Sequence, residues 1–277
     1  MDYTFRNRGY TENATALNHR DPMRFVRIIR AALAVLPWAV AVPDLTATEP
    51  TPGNSVSALP LVEVPLLAAA EGQPATSARL AVILTGDGGW AEIDQAIAAV
   101  LNRNGIPAVG FNSLKYFWRK RTAEETAGDV GKTLAHYLGT WKRERLLLIG
   151  YSRGADVLPF VVNRLPPELR ARIDLVVLMG AAQKTAFEFH VADWFTDGGG
   201  TQYDVLPEAL RLTGLRILCI NGAEETDGLN LVLPKTLARV ITLQGAHHFD
   251  GKYDDLAGLI LEELKRRPVP AVRLPTP

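Results

Sequence analysis

The sequence predicts an α/β fold, a mostly parallel sheet with helices on both faces. Three observations predict it. Short apolar runs at residues 80–84, 145–149, 175–179 and 215–220 read as strands buried on both faces. Segments of helical periodicity separate them, and strands alternating with helices build a parallel sheet. One strand-to-helix junction reads Gly150-Tyr151-Ser152-Arg153-Gly154, which places a serine on a tight turn between two glycines. In such a sheet, reactive groups gather at the carboxyl ends of the strands.

The 277 residues suit one such domain with appendages. Lys plus Arg and Asp plus Glu each number 30, so no basic excess exists to neutralise phosphates and no nucleic-acid partner is expected. The single cysteine, Cys219, cannot form an internal disulfide and reads as a core residue. No Cys/His cluster suggests a metal, and no cofactor is expected. Residues 1–42 form an N-terminal extension. Arg24, Arg27 and Arg30 precede an apolar run over 31–42, and Ala39-Val40-Ala41 supplies a small-x-small cleavage site. This is the layout of a secretory signal peptide, with a retained anchor as the alternative. Residues 1–22 carry no such pattern, so Met23 is a second candidate start.

In chain order, residues 43–78 read as a linker containing a first strand at 61–64, with Pro, Thr, Ser and Ala around it. The domain proper spans 79–266. After the strand at 80–84 comes a glycine-rich loop, then Ile93, Ile97, Val100 and Leu101 at helical spacing, with Gly105 as the stop. A strand at 107–111 leads into an aromatic and basic loop, 112–121. Thr122 and Glu125 form a capping box for a helix reaching about Trp141. The helix after Ser152 contains Pro159, which is expected to kink it. Residues 180–204 lack a regular pattern and read as a short insertion serving as lid or pocket wall. A strand at 240–243 and a closing helix at 254–266 follow, then a Pro-rich tail, 267–277.

A serine at a sharp strand-to-helix turn is the nucleophile elbow of an α/β-hydrolase. Such a serine needs a base, an acid and an oxyanion site. In this fold the order is serine, acid, histidine. His247 follows the last strand directly and is the expected base, with His248 packing or hydrogen-bonding beside it. His19, His136 and His190 read as structural. The loop after residue 220 contains Glu224, Glu225 and Asp227. Glu225, three residues past Gly222, and Asp227 are both candidates for the acid, and the sequence does not separate them. The main-chain N–H groups of Asp87 and Arg153 are the expected oxyanion donors. Gly86, Gly88, Trp90, Tyr116, Glu224 and His248 are expected around the substrate.

Four motifs go beyond a generic hydrolase: Thr85-Gly86-Asp87-Gly88-Gly89-Trp90, Ser113-Leu114-Lys115-Tyr116-Phe117-Trp118, the elbow extended through Ala155-Asp156-Val157-Leu158-Pro159-Phe160, and Gly245-Ala246-His247-His248-Phe249-Asp250-Gly251. Together, over residues 80–265, they resemble the bacterial VirJ/AcvB virulence-protein family, in its shorter VirJ-type form. The resemblance implies a periplasmic serine hydrolase acting on the aminoacyl ester of lysyl-phosphatidylglycerol, linked to virulence and type IV secretion. The partners so implied are an aminoacylated phospholipid and secretion-system proteins. Asp87, Glu224 and Asp227 are then candidates to receive the lysyl ammonium. The loop Tyr116 to Arg121 is a candidate for peripheral contact with an anionic membrane surface. A non-catalytic adaptor, and an esterase or thioesterase for other acyl groups, are the competing readings. Two departures stand out. Arg153 occupies a position where an apolar residue is expected, and Asp227-Gly228-Leu229-Asn230 differs from the family's acidic loop.

Overall fold

The structure is a computed structural model that describes residues 56–66, 77–188 and 201–266. The export signal, most of the linker at 68–78, His19, His190 and the Pro-rich tail lie outside the described residues.

A seven-stranded sheet forms the centre, in the order β1-β3-β2-β4-β5-β8-β9. The strands are β1 (Leu61–Val64), β2 (Arg79–Leu84), β3 (Ala108–Phe111), β4 (Arg145–Tyr151), β5 (Ile173–Met179), β8 (Ile217–Gly222) and β9 (Arg239–Leu243). β1 runs antiparallel to β3 at one edge, and every other pair is parallel. The expected strands are present, with boundaries shifted by one or two residues. Alternation along each strand sends side chains to opposite faces. Leu80, Val82, Leu146 and Leu148 enter one apolar cluster, and Ala81, Ile83, Leu147 and Ile149 the other. This is the α/β-hydrolase fold.

Helices cover both faces. α1 (Glu92–Arg103) and α7 (Tyr253–Lys265) bury Ile93, Ile97, Leu256 and Ile260 on one side. α3 (Ala123–Thr140), α4 (Arg153–Arg164) and α6 (Val205–Leu210) bury Val130, Leu134, Val157, Val161 and Ala209 on the other. The capping box of α3 is present: Glu125 N–H donates to Thr122 Oγ1 (3.0 Å), and Thr122 N–H donates to Glu125 Oε2 (2.8 Å). Pro159 lies inside α4, which runs on to Arg164. Pro166 and Pro167 lead into a short α5 (Pro167–Arg170). The expected loop at 112–121 holds one helical turn, α2 (Ser113–Tyr116), capped by the Asn112 side chain on Lys115 N–H (3.0 Å). In the insertion, β6 (Lys184–Thr185) pairs with β7 (Tyr203–Asp204) as a two-residue ribbon, and residues 189–200 lie outside the described residues.

One buried group costs stability in a pH-dependent way. Asp94 on α1 is 1 % exposed; its Oδ2 accepts from Ala91 N–H (3.1 Å), while its Oδ1 is buried without a hydrogen bond. Burial raises its carboxyl from 3.8 to about 7, against the lowering effect of the Ala91 N–H. The folded state therefore holds a proton that the unfolded chain releases between those values. Stability from this group is complete below the lower value and is lost as pH rises through the higher one. Asp94→Asn removes the titration. Its melting temperature relative to wild type should rise between about pH 4 and about pH 7 and level off above that; a pH-independent difference would contradict this.

Candidate active site

Ser152 joins β4 to α4 with φ +52° and ψ −124°. A positive φ in a residue with a side chain costs roughly 1–3 kcal/mol and persists only where the surroundings demand it. The demand is steric. A Cβ on Gly150 would fall 2.5 Å from Ala155 Cα, and one on Gly154 would fall 2.0 Å from the Leu84 carbonyl oxygen. With both flanks bare, α4 turns directly off β4 against the end of β2. Ser152 N–H donates to Met179 O (2.9 Å), and Ser152 O accepts from Ala155 and Asp156 N–H (2.8 and 3.0 Å).

The ends of β8 and β9 carry the acid and the base. Glu225 Oε2 accepts from Gly222 N–H (2.7 Å) and the Asn221 amide (3.0 Å). That leaves Oε1 for His247, whose Nδ1 lies 2.5 Å away. Burial pushes the Glu225 carboxyl up, but the hydrogen bonds from His247, Gly222 and Asn221 outweigh it and hold the group below its ordinary value. Facing a carboxylate, Nδ1 takes the proton, and Nε2 is left as the basic nitrogen. Asp227 does not join this pair. It is exposed, and its main-chain oxygen accepts from Gln183 N–H (3.0 Å). Main-chain bonds from Ala223 N–H to Leu243 O (2.7 Å) and from Glu224 N–H to Gly245 O (3.2 Å) hold the acid loop against the histidine loop.

Two residues that sequence reasoning missed set the imidazole. The Tyr151 ring stacks on it, with centroids 5.3 Å apart and planes 28° apart. The Tyr151 hydroxyl lies 2.9 Å from Nδ1 of His248, so His248 steadies the loop through Tyr151. Gly180, at the end of β5, has φ +57°, and a Cβ there would sit 2.8 Å from His247 Cε1. No hydrogen bond joins Ser152 Oγ to His247 among the described residues. Bonds of this kind are often long before substrate binds.

The glycine-rich loop after β2 runs past the serine. Gly89 N–H donates to Gly86 O (3.1 Å), closing a turn with Asp87 and Gly88 at its centre. A Cβ on Gly86 would lie 3.1 Å from Ser152 Cβ. A Cβ on the exposed Gly88 would meet nothing nearer than Ala91 Cβ, at 3.8 Å. The main-chain N–H groups of Asp87 and Arg153 have no acceptor among the described residues, which leaves two donors beside Ser152. In acyl transfer such a donor is worth about 3 kcal/mol of barrier.

Arg153 has a structural reason for its charge. Its guanidinium grips both carboxylate oxygens of Asp87, Nη2 to Oδ2 at 3.0 Å, and its Nη1 donates to Ala186 O (2.9 Å) and Glu188 O (3.3 Å). The side chain is only 13 % exposed. It ties the glycine-rich loop to the start of the insertion across the top of Ser152. One turn along α4, buried Asp156 accepts from Ala182 N–H (2.7 Å). Burial raises its carboxyl well above the ordinary value, partly offset by that N–H and by Arg153.

Of two expected substrate contacts, Tyr116 belongs to the core, and Trp90 is half-buried against it. Trp90 packs on β3, where a Cβ on Gly110 would fall 2.3 Å from its ring. Tyr116 is 2 % exposed, donates its hydroxyl to Asp129 Oδ2 (2.8 Å) and meets Phe111 and Phe117 edge-on. Both rings are large apolar surfaces that the sheet edge and α3 can cover, and burial wins over exposure at a pocket wall. Glu224 is exposed on the acid loop. His136 lies on α3, edge-on to Tyr137.

A family model described as "Bacterial virulence protein (VirJ)" matches residues 78–268. No curated protein matches the chain by sequence. Among solved structures, Est1E from Butyrivibrio proteoclasticus is similar at TM-score 0.51 and 12 % identity, over 74 % of this chain and 93 % of that one. The Pyrococcus furiosus esterase Pf2001 is similar at TM-score 0.51 and 15 % identity, over 69 % and 81 %. A lipase-esterase related protein from Clostridium acetobutylicum is similar at TM-score 0.50 and 11 % identity, over 74 % and 98 %. At these identities the likeness establishes the fold.

The pairing of His247 with Glu225 predicts the reactivity of Ser152. A fluorophosphonate should label the wild-type protein at Ser152, and Glu225→Gln should slow labelling by roughly 10²- to 10⁴-fold, because it disturbs the imidazole tautomer. Asp227→Asn should stay near wild type. The reverse order would identify Asp227 as the acid.

Proposed function

The chain belongs to the bacterial virulence protein (VirJ) family, and on that footing we propose that it is a serine hydrolase that cleaves the aminoacyl ester of lysyl-phosphatidylglycerol. The observation that carries the hydrolase reading is the 2.5 Å bond from His247 Nδ1 to Glu225, on the same sheet edge as the Ser152 elbow. Ser152 Oγ attacks the ester carbonyl while His247 Nε2 takes its proton. The N–H groups of Asp87 and Arg153 hold the oxyanion. The protonated imidazole, stabilised by Glu225, then returns the proton to the departing lipid hydroxyl. Water repeats the cycle on the acyl-serine and releases lysine.

The lysyl group is cationic, and the exposed carboxylates of Glu224 and Asp227 flank the acid loop where it would lie. Asp87 is a weaker candidate for that role, since Arg153 already neutralises it. The proposed place of action is the periplasm, on the signal-like layout of residues 24–42. Support for secretion or virulence would follow from lipid turnover rather than from an adaptor role, which has no use for an acid–base–serine set. A second reading has one observation in its favour: the neighbouring folds carry esterase names, and Est1E was solved with ferulic acid bound. Small acyl esters are therefore the rival substrate class.

Purified protein and Ser152→Ala should be incubated with lysyl-phosphatidylglycerol and with a generic short-chain ester. Free lysine should appear with wild type and fall by at least about 10³-fold with Ser152→Ala. Cleavage of the generic ester alone would overturn the lipid assignment, and cleavage of neither would overturn the hydrolase.

A further inference from the structure

The loop after α2 separates into two chemistries. Tyr116 and Phe117 turn into the core, while Trp118 is 61 % exposed and Arg119 and Lys120 beside it are exposed too. Together with the segment at 58–60, this loop borders an open cavity of about 610 Å³. Leu59, Pro60 and Trp118 line its apolar part, Lys115, Arg119 and Arg121 its basic part, and no carboxylate lines it. Elsewhere the fold pairs its cations: Arg79 and Arg145 with Asp174, Arg164 with Glu208, Arg239 with Glu263. Lys115, Arg119 and Lys120 enter no ion pair among the described residues. Arg121 lies over the Tyr116 ring (4.6 Å), and its Nε is buried without a hydrogen-bond partner.

We propose that this cavity and Trp118 form a docking surface for an anionic phospholipid bilayer. The chemistry is complementary in both parts. Lipid phosphates supply the anions that Lys115, Arg119 and Lys120 lack, and the exposed indole suits the boundary between headgroups and acyl chains, where Trp is favoured. Placement supports the assignment. The loop follows the carboxyl end of β3, on the sheet edge that carries Ser152. Arg121 N–H donates to Phe187 O (2.8 Å), one residue from the Ala186 oxygen that Arg153 holds (2.9 Å). A bilayer on this surface therefore meets the rim of the serine site. The surface stands on its own residues and does not need the proposed reaction; only the benefit of docking rests on that reading.

The test uses Ser152→Ala protein, so that binding is read without turnover. It is floated with vesicles of phosphatidylglycerol and phosphatidylcholine mixed, and with phosphatidylcholine alone. The protein should float with the mixed vesicles and not with the neutral ones, and raised salt should release it. Adding Lys115→Glu, Arg119→Glu and Lys120→Glu together should weaken binding by roughly 100-fold or more, at about fivefold for each basic residue lost. Trp118→Ala should weaken it independently and leave the salt dependence in place. Circular dichroism and melting temperature of each variant confirm folding. Equal flotation with both vesicle types, no flotation with either, or mixed-vesicle binding unchanged in both variants would overturn the proposal.

Discussion

The site depends on one steric constraint, the turn at Ser152. The chain must leave β4 and enter α4 within a single residue, while α4 presses against the end of β2. Only bare positions at 150 and 154 permit that contact, and the strain left over resides in the positive φ of Ser152. Holding the serine there places its side chain at the carboxyl edge of the sheet. It also frees the Arg153 N–H at the start of a helix, where no main-chain acceptor competes for it. Geometry that is costly locally is sustained by the two apolar clusters on the faces of the sheet, which fix β2, β4 and α4 in place.

From that turn outward, the remaining groups are supplied by neighbouring strand ends. The candidate acid and base come from β8 and β9, adjacent parallel strands whose loops hydrogen-bond to each other. Glu225 is oriented by bonds within its own loop before His247 reaches it. The glycine-rich loop is oriented differently, through the side chain of Arg153. One residue thus contributes twice, its N–H toward the oxyanion and its guanidinium toward the loop that carries the second donor. A charged side chain beside the serine is buried here because Asp87 and two carbonyl oxygens satisfy it.

The fold was legible because its signals are local: strands buried on both faces, helical periodicity and a capping box at Thr122. The short helix α2 escaped notice, although Asn112 is a good cap, because one turn carries no periodicity. The order of serine, acid and base was legible from the loops after the strands. The choice between Glu225 and Asp227 was not, since it turns on hydrogen bonds from Asn221 and Gly222 that only the folded loop reveals. Tyr151 and Gly180 were illegible for a similar reason: each acts on His247 across a long stretch of sequence. Tyr116 misled because an aromatic residue near a site motif looks the same whether it lines a pocket or fills a core. Here the hydrogen bond to Asp129 and the burial of Tyr116 decide in favour of the core.

If the proposed chemistry holds, Ser152 and His247 act as one unit. Turnover of a soluble ester by Ser152→Ala, His247→Ala and the double variant tests it most directly. Residues that work as a unit are strongly non-additive. The double variant should then be no slower than either single one, with each losing at least about 10³-fold. Losses that multiply in the double variant, or a Ser152→Ala protein that keeps wild-type turnover, would contradict the account.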